Sequence, residues 1–215
     1  MIYEKIIQTA FFNETYAQIE ELKKDFPVNH GFIHVKHVID NAKELAKIFK
    51  LNETQKERLL IAATLHDIGY LSGRDEHPQN GAILTKEFLT GKYNLSSDEI
   101  DQICNAISHH GCKNENECTD ILSLCLILAD KMDFVSSRYS DDTEKYPNVI
   151  PFKKISKVVP EFDGKTFTMK IILSDCTSEE IISYKNLHYF TKLRKIFDSI
   201  EKSQNFKCRL CFEIE

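Results

Sequence analysis

Leu59-Leu60-Ile61-Ala62-Ala63-Thr64-Leu65-His66-Asp67-Ile68-Gly69 is the stretch whose reading decides the fold. Its first seven residues carry no charge and are apolar on all sides of a helix, which predicts a helix buried all round, and Gly69 supplies the stop. The helix ends on a histidine and an aspartate. A carboxylate in such a place costs several kcal/mol unless it is compensated, or it takes up a proton instead. Asp130 repeats the problem at the end of Ile121-Leu122-Ser123-Leu124-Cys125-Leu126-Ile127-Leu128-Ala129, the most apolar segment of the chain. Neither run contains a lysine or arginine, so the compensation must come from elsewhere.

Working outward, Val38, Ala42, Leu45 and Phe49 recur at helical spacing within residues 34–50, and one turn further back the same stripe lands on His34, which therefore faces inward. Residues 2–24 read as an amphipathic helix closed by Pro27, and the apolar run above belongs to a helix from about Glu53 to Asp67. Ser72–Glu76 reads as a loop, and His77-Pro78 opens a fourth helix, since proline is tolerated in a first turn. A fifth runs from Ser97 or Asp98 to about His110 with Ile100, Ile103, Cys104 and Ile107 on one face, and residues 114–117 form a polar break. Past Asp141 the character changes. Pro147, Pro151 and Pro160 bracket short β-branched stretches, Thr166–Leu173 and Lys207–Ile214 read as strands, and Ser178–Lys202 as a helix with Phe190, Leu193, Phe197 and Ile200 on one stripe. The fold expected is mainly α: a helical domain over residues 1–146 and a small α+β region over 147–215.

Composition agrees and narrows the function. Seven glycines and five prolines in 215 residues favour long helices over a loop-rich or all-β chain. A net charge of −5 without a basic block argues against a nucleic-acid polymer as partner. No run reaches the ~18 apolar residues of a membrane span. Seven cysteines at irregular spacing, with no export signal, predict reduced thiols in a cytoplasmic protein. Cys208 and Cys211 have zinc-knuckle spacing but point to opposite faces of a strand, and no glycine-rich phosphate loop occurs.

Seven of the eight histidines lie between residues 30 and 110. His34 on its apolar stripe, His66 beside Asp67, and Asp130 would all be satisfied at once by a divalent metal held by neutral imidazoles and ionised carboxylates. His34, then LHDIG at 65–69, then LADKMD at 128–133 resemble the HD-domain superfamily of metal-dependent phosphohydrolases over roughly residues 28–140. The resemblance implies a helical bundle with His34, His66, Asp67 and Asp130 as metal ligands. His77-Pro78 with Gly81, and the pair His109-His110, look like the extra histidines of dinuclear members, in which the residue matching Asp67 bridges two metals. Either His109 or His110 can be the ligand, with the Ile100 stripe bringing His110 nearer the inward face. Two divalent transition metal ions, drawn from Fe, Mn, Co, Ni or Zn, are thereby implied.

Departures from the family pattern matter too. Gly111-Cys112-Lys113 follows the histidine pair, so the GYP signature of cyclic-dinucleotide phosphodiesterases is missing. Tyr70 stands where a lysine often follows the motif, removing a phosphate contact that Arg74 could replace, unless Arg74 is merely a solvated loop residue. His30 either shares the face of His34, toward metal or substrate, or caps the helix start. Asp133 is by resemblance a catalytic proton shuttle alongside Asp67, and otherwise an exposed helix carboxylate. The expected activity is hydrolysis of a nucleotide or other small phosphate ester by a metal-activated water. The alternatives are an HD-type diiron oxygenase cleaving a C–C or C–P bond, and a non-catalytic nucleotide sensor, with the C-terminal region as a possible homodimer surface.

Overall fold

The computed structural model describes residues 1–23, 26–112 and 120–215. Two compact units are present: the first ends at Asp130, and the second runs from Lys131 to Glu215 with Phe26–Val28 joining it. The sequence places the boundary at 146/147; the polar break at 114–117 lies outside the described residues. Among the described residues no helix is long and apolar enough to cross a membrane.

The first unit is helical: α1 (Ile2–Ile7), α2 (Ala10–Lys23), α3 (Phe32–Ile48), α4 (Glu53–Leu65), α5 (His77–Leu89), α6 (Ser97–His109) and α7 (Ile121–Lys131), with a 3₁₀ segment over Ile68–Ser72. The single helix expected over 2–24 is broken at Thr9. Its hydroxyl donates to the Ile6 carbonyl (2.6 Å) and accepts from the Phe12 N–H (3.2 Å), so the side chain ends one helix and caps the next. Helix α3 starts two residues earlier than the periodicity indicates because Glu20 Oε1 accepts the otherwise orphaned Phe32 N–H at 2.9 Å. Asn52 and Gln55 form a capping box at α4, Ser96 and Glu99 another at α6, and Asp120 Oδ1 caps α7 through the N–H groups of Leu122 and Ser123.

Residues 59–65 of α4 and 122–130 of α7 are all buried, as helices apolar on every side require. Asn41 of α3 ties α7 in place by donating to the Ala129 carbonyl at 2.9 Å. Close backbone approach matters most at Gly69. A Cβ there would lie 2.0 Å from the His77 carbonyl oxygen and 2.4 Å from the Gly81 nitrogen, so the 3₁₀ segment and α5 touch main chain to main chain.

The second unit carries α8 (Ile150–Lys153), β1 (Ile155–Phe162), β2 (Thr166–Leu173), α9 (Ser178–Lys185), α10 (His188–Ser203) and β3 (Lys207–Ile214). β1 and β2 form an antiparallel hairpin, β3 lies parallel to β2, and α9 and α10 make the crossover. The chain is thus mainly α with a small α+β appendage rather than wholly helical. β1 is one strand more than the sequence indicates; Pro160 obscures it, yet is accommodated because β1 is an edge strand. The helix expected over 178–202 is interrupted at Leu187, whose backbone is extended. The Lys185 carbonyl accepts from the Arg194 guanidinium there instead of from the helix. Phe190, Leu193, Phe197 and Ile200 of α10 are buried, with the Phe190 and Phe212 rings 5.2 Å apart.

Gly69→Ala is expected to destabilise the protein by about 1–3 kcal/mol or more, because the new methyl meets backbone that cannot yield. Ile83→Ala on the exposed side of α5 should stay within about 0.5 kcal/mol. Chemical denaturation of both variants provides the comparison.

Candidate metal centre

Asp67 sits one residue past the α4 C-cap, 2% exposed, where the chain turns from α4 into the 3₁₀ segment. Its two carboxylate oxygens face different groups. Oδ2 lies 3.2 Å from His30 Nδ1, 3.3 Å from His34 Nε2 and 3.4 Å from His66 Nε2. Oδ1 lies 3.4 Å from His110 Nε2 and 3.6 Å from His77 Nε2. Asp130 joins the first side, its Oδ1 3.4 Å from His34 Nε2. Among the described residues, three sets of side chains have atoms close enough together to hold a metal ion: His30, His34 and Asp67; His34, His66 and Asp130; and His66, Asp67 and His110.

The helices set the tautomers. His66 Nδ1 donates to the Ala63 carbonyl (2.9 Å), His110 Nδ1 to Ile107 (2.7 Å) and His77 Nδ1 to Arg74 (2.7 Å). Each ring uses the carbonyl three residues before it, which leaves Nε2 as a lone pair aimed at Asp67. The consequence is a test of whether these residues suit a metal. His77 Nε2 and His110 Nε2 stand 3.1 Å apart, both as acceptors, and His66 Nε2 stands 3.1 Å from His34 Nε2. Facing lone pairs repel unless a cation lies between them, and a set of imidazoles and carboxylates is the donor chemistry of divalent transition metals. The residues fit.

Electrostatics agree. Burial alone would raise the Asp67 carboxyl, but the imidazoles around it, His66 first and then His110, His30 and His34, hold it well below the usual carboxylate range. Burial, opposed by Asp67 and assisted by His110, pushes the His77 imidazole down to about 4. His77 is therefore neutral near pH 7, as a ligand must be.

The packing around these rings includes partners that periodicity does not reveal. Tyr70, 6% exposed, stacks on His77 (centroids 4.1 Å, 15°) and touches His30 (4.5 Å). Tyr16, fully buried, donates to the Thr64 carbonyl at 3.0 Å, satisfying a carbonyl at the end of α4. Burial and then the Asp67 charge hold its hydroxyl well above the usual range, so it remains a donor.

Among the sequence candidates, the structure gathers His30, His34, His66, Asp67, His77, His110 and Asp130. Of the histidine pair it is His110 that reaches Asp67; half-buried His109 joins none of the metal-competent groups among the described residues. His30 contacts Asp67, while Asn29 Oδ1 accepts the Gly31 N–H at the helix start (2.7 Å). Arg74 is an exposed loop residue that touches the site through its backbone carbonyl. Asp133 lies in the second unit and is 1% exposed, which corrects the reading of it as an exposed helix carboxylate. Its Oδ2 is 3.6 Å from Arg138 Nε.

Residues 31–134 match the family model of the HD domain. A solved structure described as a predicted HD superfamily hydrolase from an uncultured Thermotogales bacterium is 20% identical, with a TM-score of 0.44 over 71% of this chain and 95% of that one. No curated protein matches the chain. Residues 31–134 are therefore an HD domain, with groups of histidines and aspartates that could hold a metal ion.

His110→Ala is expected to remove bound metal that His109→Ala retains, as read by elemental analysis of the purified variants. In the metal-free protein His77 ionises near 4 when folded and near 6.5 when unfolded, so unfolding takes up a proton between those values. The stability this gives is fully present above about pH 6.5 and is lost as pH falls toward 4, at up to about 1.4 kcal/mol per pH unit. Asp67 adds its own loss only below 3.8. Urea midpoints in chelator should show His77→Gln flattening the slope between pH 4.5 and 6.5.

Proposed function

We propose that the protein is a phosphohydrolase with two divalent metal ions, acting on a nucleotide or another small phosphate ester. The observation that carries this reading is the division of the Asp67 carboxylate, with Oδ2 toward His34, His66 and Asp130 and Oδ1 toward His77 and His110. A carboxylate with nitrogen ligands at both oxygens is built to bridge two cations. His34, His66, Asp130 and Oδ2 would hold one; His77, His110 and Oδ1 would hold the other.

When bound, such ions lower the pKa of a water and neutralise a phosphoryl group. The side chains then do the rest. Two carboxylates and neutral imidazoles leave about two units of positive charge uncompensated by the protein, which favours an anionic substrate. The backbone carbonyls of Ala63, Ile107 and Arg74 keep three rings in the donor tautomer that ligation needs. Tyr70 holds the His77 ring by stacking and the His30 ring by a tilted contact, so replacing the lysine expected after the motif exchanges a phosphate contact for ring positioning.

A screen of phosphomonoesters, phosphodiesters and nucleotides against Mn, Fe, Co, Ni and Zn tests this. Phosphate release from at least one class is expected, falling at least about a hundredfold in Asp67→Ala and His66→Ala together with metal content. Asp133→Asn reads the proton-shuttle expectation separately, through a lower kcat at unchanged metal content. Oxygen consumption without phosphate release, or turnover indifferent to Asp67, would contradict the reading.

A further inference from the structure

The three-stranded sheet of the second unit has two unlike edges. β1 has Pro160 and a register irregularity between Ile155 and Lys157, both of which discourage further pairing. β3 has neither a proline nor a bulge. Its odd-numbered residues bond to β2, from Lys207 N–H to the Lys165 carbonyl (2.8 Å) through Glu215 N–H to the Leu173 carbonyl (2.9 Å). Cys208, Leu210, Phe212 and Ile214 therefore aim their backbone groups away from the sheet. The Cys208 N–H is taken by Glu201 Oε1 at 2.7 Å; Leu210, Phe212 and Ile214 have no backbone partner on that side among the described residues. Beside this edge runs an open groove of about 380 Å³ with a mixed lining, the charged Lys185, Arg194, Asp198 and Arg209 beside the apolar Phe197, Leu210 and Phe212.

The strand is complementary to itself. Laid antiparallel on a second β3 with Cys211 facing Cys211, Lys207 meets Glu215, Arg209 meets Glu213, and Leu210 meets Phe212. Leu210 and Phe212 both point their backbone outward, so they exchange N–H···O bonds, and the hydrogen-bonding parity of the register is right. Opposite charges then face each other at the odd-numbered positions, and the apolar pair Leu210 and Phe212 lies between them. Sliding the pairing by two residues either way keeps only one type of charge pair, and sliding further brings Arg209 against Arg209. Lys207 contacts Glu201 of α10 (2.9 Å) at one end of the strand, and Glu213 lies 3.6 Å from Lys170 toward the other.

We propose that β3 pairs antiparallel with β3 of a second copy of this chain, making one continuous six-stranded sheet across a two-fold axis centred at Cys211. Charge complementarity fixes the occupant and the register.

Light scattering on the full chain should give twice the monomer mass. In this register Cys211 faces its symmetry mate at a non-hydrogen-bonded position, where Cα atoms about 4.5 Å apart suit a disulfide. Copper-phenanthroline oxidation should therefore give a thiol-reversible crosslinked dimer, lost in Cys211→Ser and kept in Cys208→Ser. Arg209→Glu should weaken the dimer about tenfold or more by setting like charges opposite, and the double variant Arg209→Glu/Glu213→Arg should restore it, which separates lost pairing from misfolding. A monomeric wild type overturns the proposal, whether or not another extended segment can occupy the edge. So does a dimer that ignores Arg209→Glu or crosslinks without Cys211.

Discussion

Asp67 is a charge held where water hardly reaches, and the first unit is arranged around the need to keep it ionised. Burial opposes the charge; five histidines lie within 3.6 Å, and among them His66, His110, His30 and His34 outweigh burial. Those histidines come from α3, the end of α4, the start of α5, the end of α6 and the segment before α3, so the carboxylate is the point on which these elements converge. Their approach sets tight local demands. Gly69 has no room for a methyl, Tyr16 closes the α4 terminus, and Glu20 fixes where α3 begins. Loss of any of these moves ligands without touching one.

The same arrangement suits a cation. Paired Nε2 atoms 3.1 Å apart, at least one pair with both protons fixed on the far nitrogens, repel each other. Ions that bound only the folded chain would relieve the repulsion and stabilise the first unit by mass action.

What the sequence made legible was whatever follows a local period. The apolar stripe of residues 38–49, run back one turn, reaches His34, and the Ile100 stripe favours His110 over His109. Asp67 and Asp130 stood out as charges ending apolar helices. Partners that act across the bundle carry no such signal. Tyr70 read as a missing phosphate contact, whereas its ring packs on His77 and His30; Tyr16 and Glu20 looked like ordinary members of an amphipathic helix. Helix breaks were hidden for a related reason. Thr9 and Leu187 fit an unbroken helical pattern, and only side-chain bonds to neighbouring backbone groups show why the chain stops there. β1 was obscured by Pro160, which argues against a central strand but not against an edge.

The bridging role of Asp67 is tested most directly by anomalous diffraction from crystals of the metal-loaded chain, with data on both sides of the metal absorption edge. Two peaks are expected, one among His34, His66, Asp130 and Asp67 Oδ2, the other among His77, His110 and Asp67 Oδ1. A single peak, or none in reach of the Asp67 carboxylate, contradicts that role.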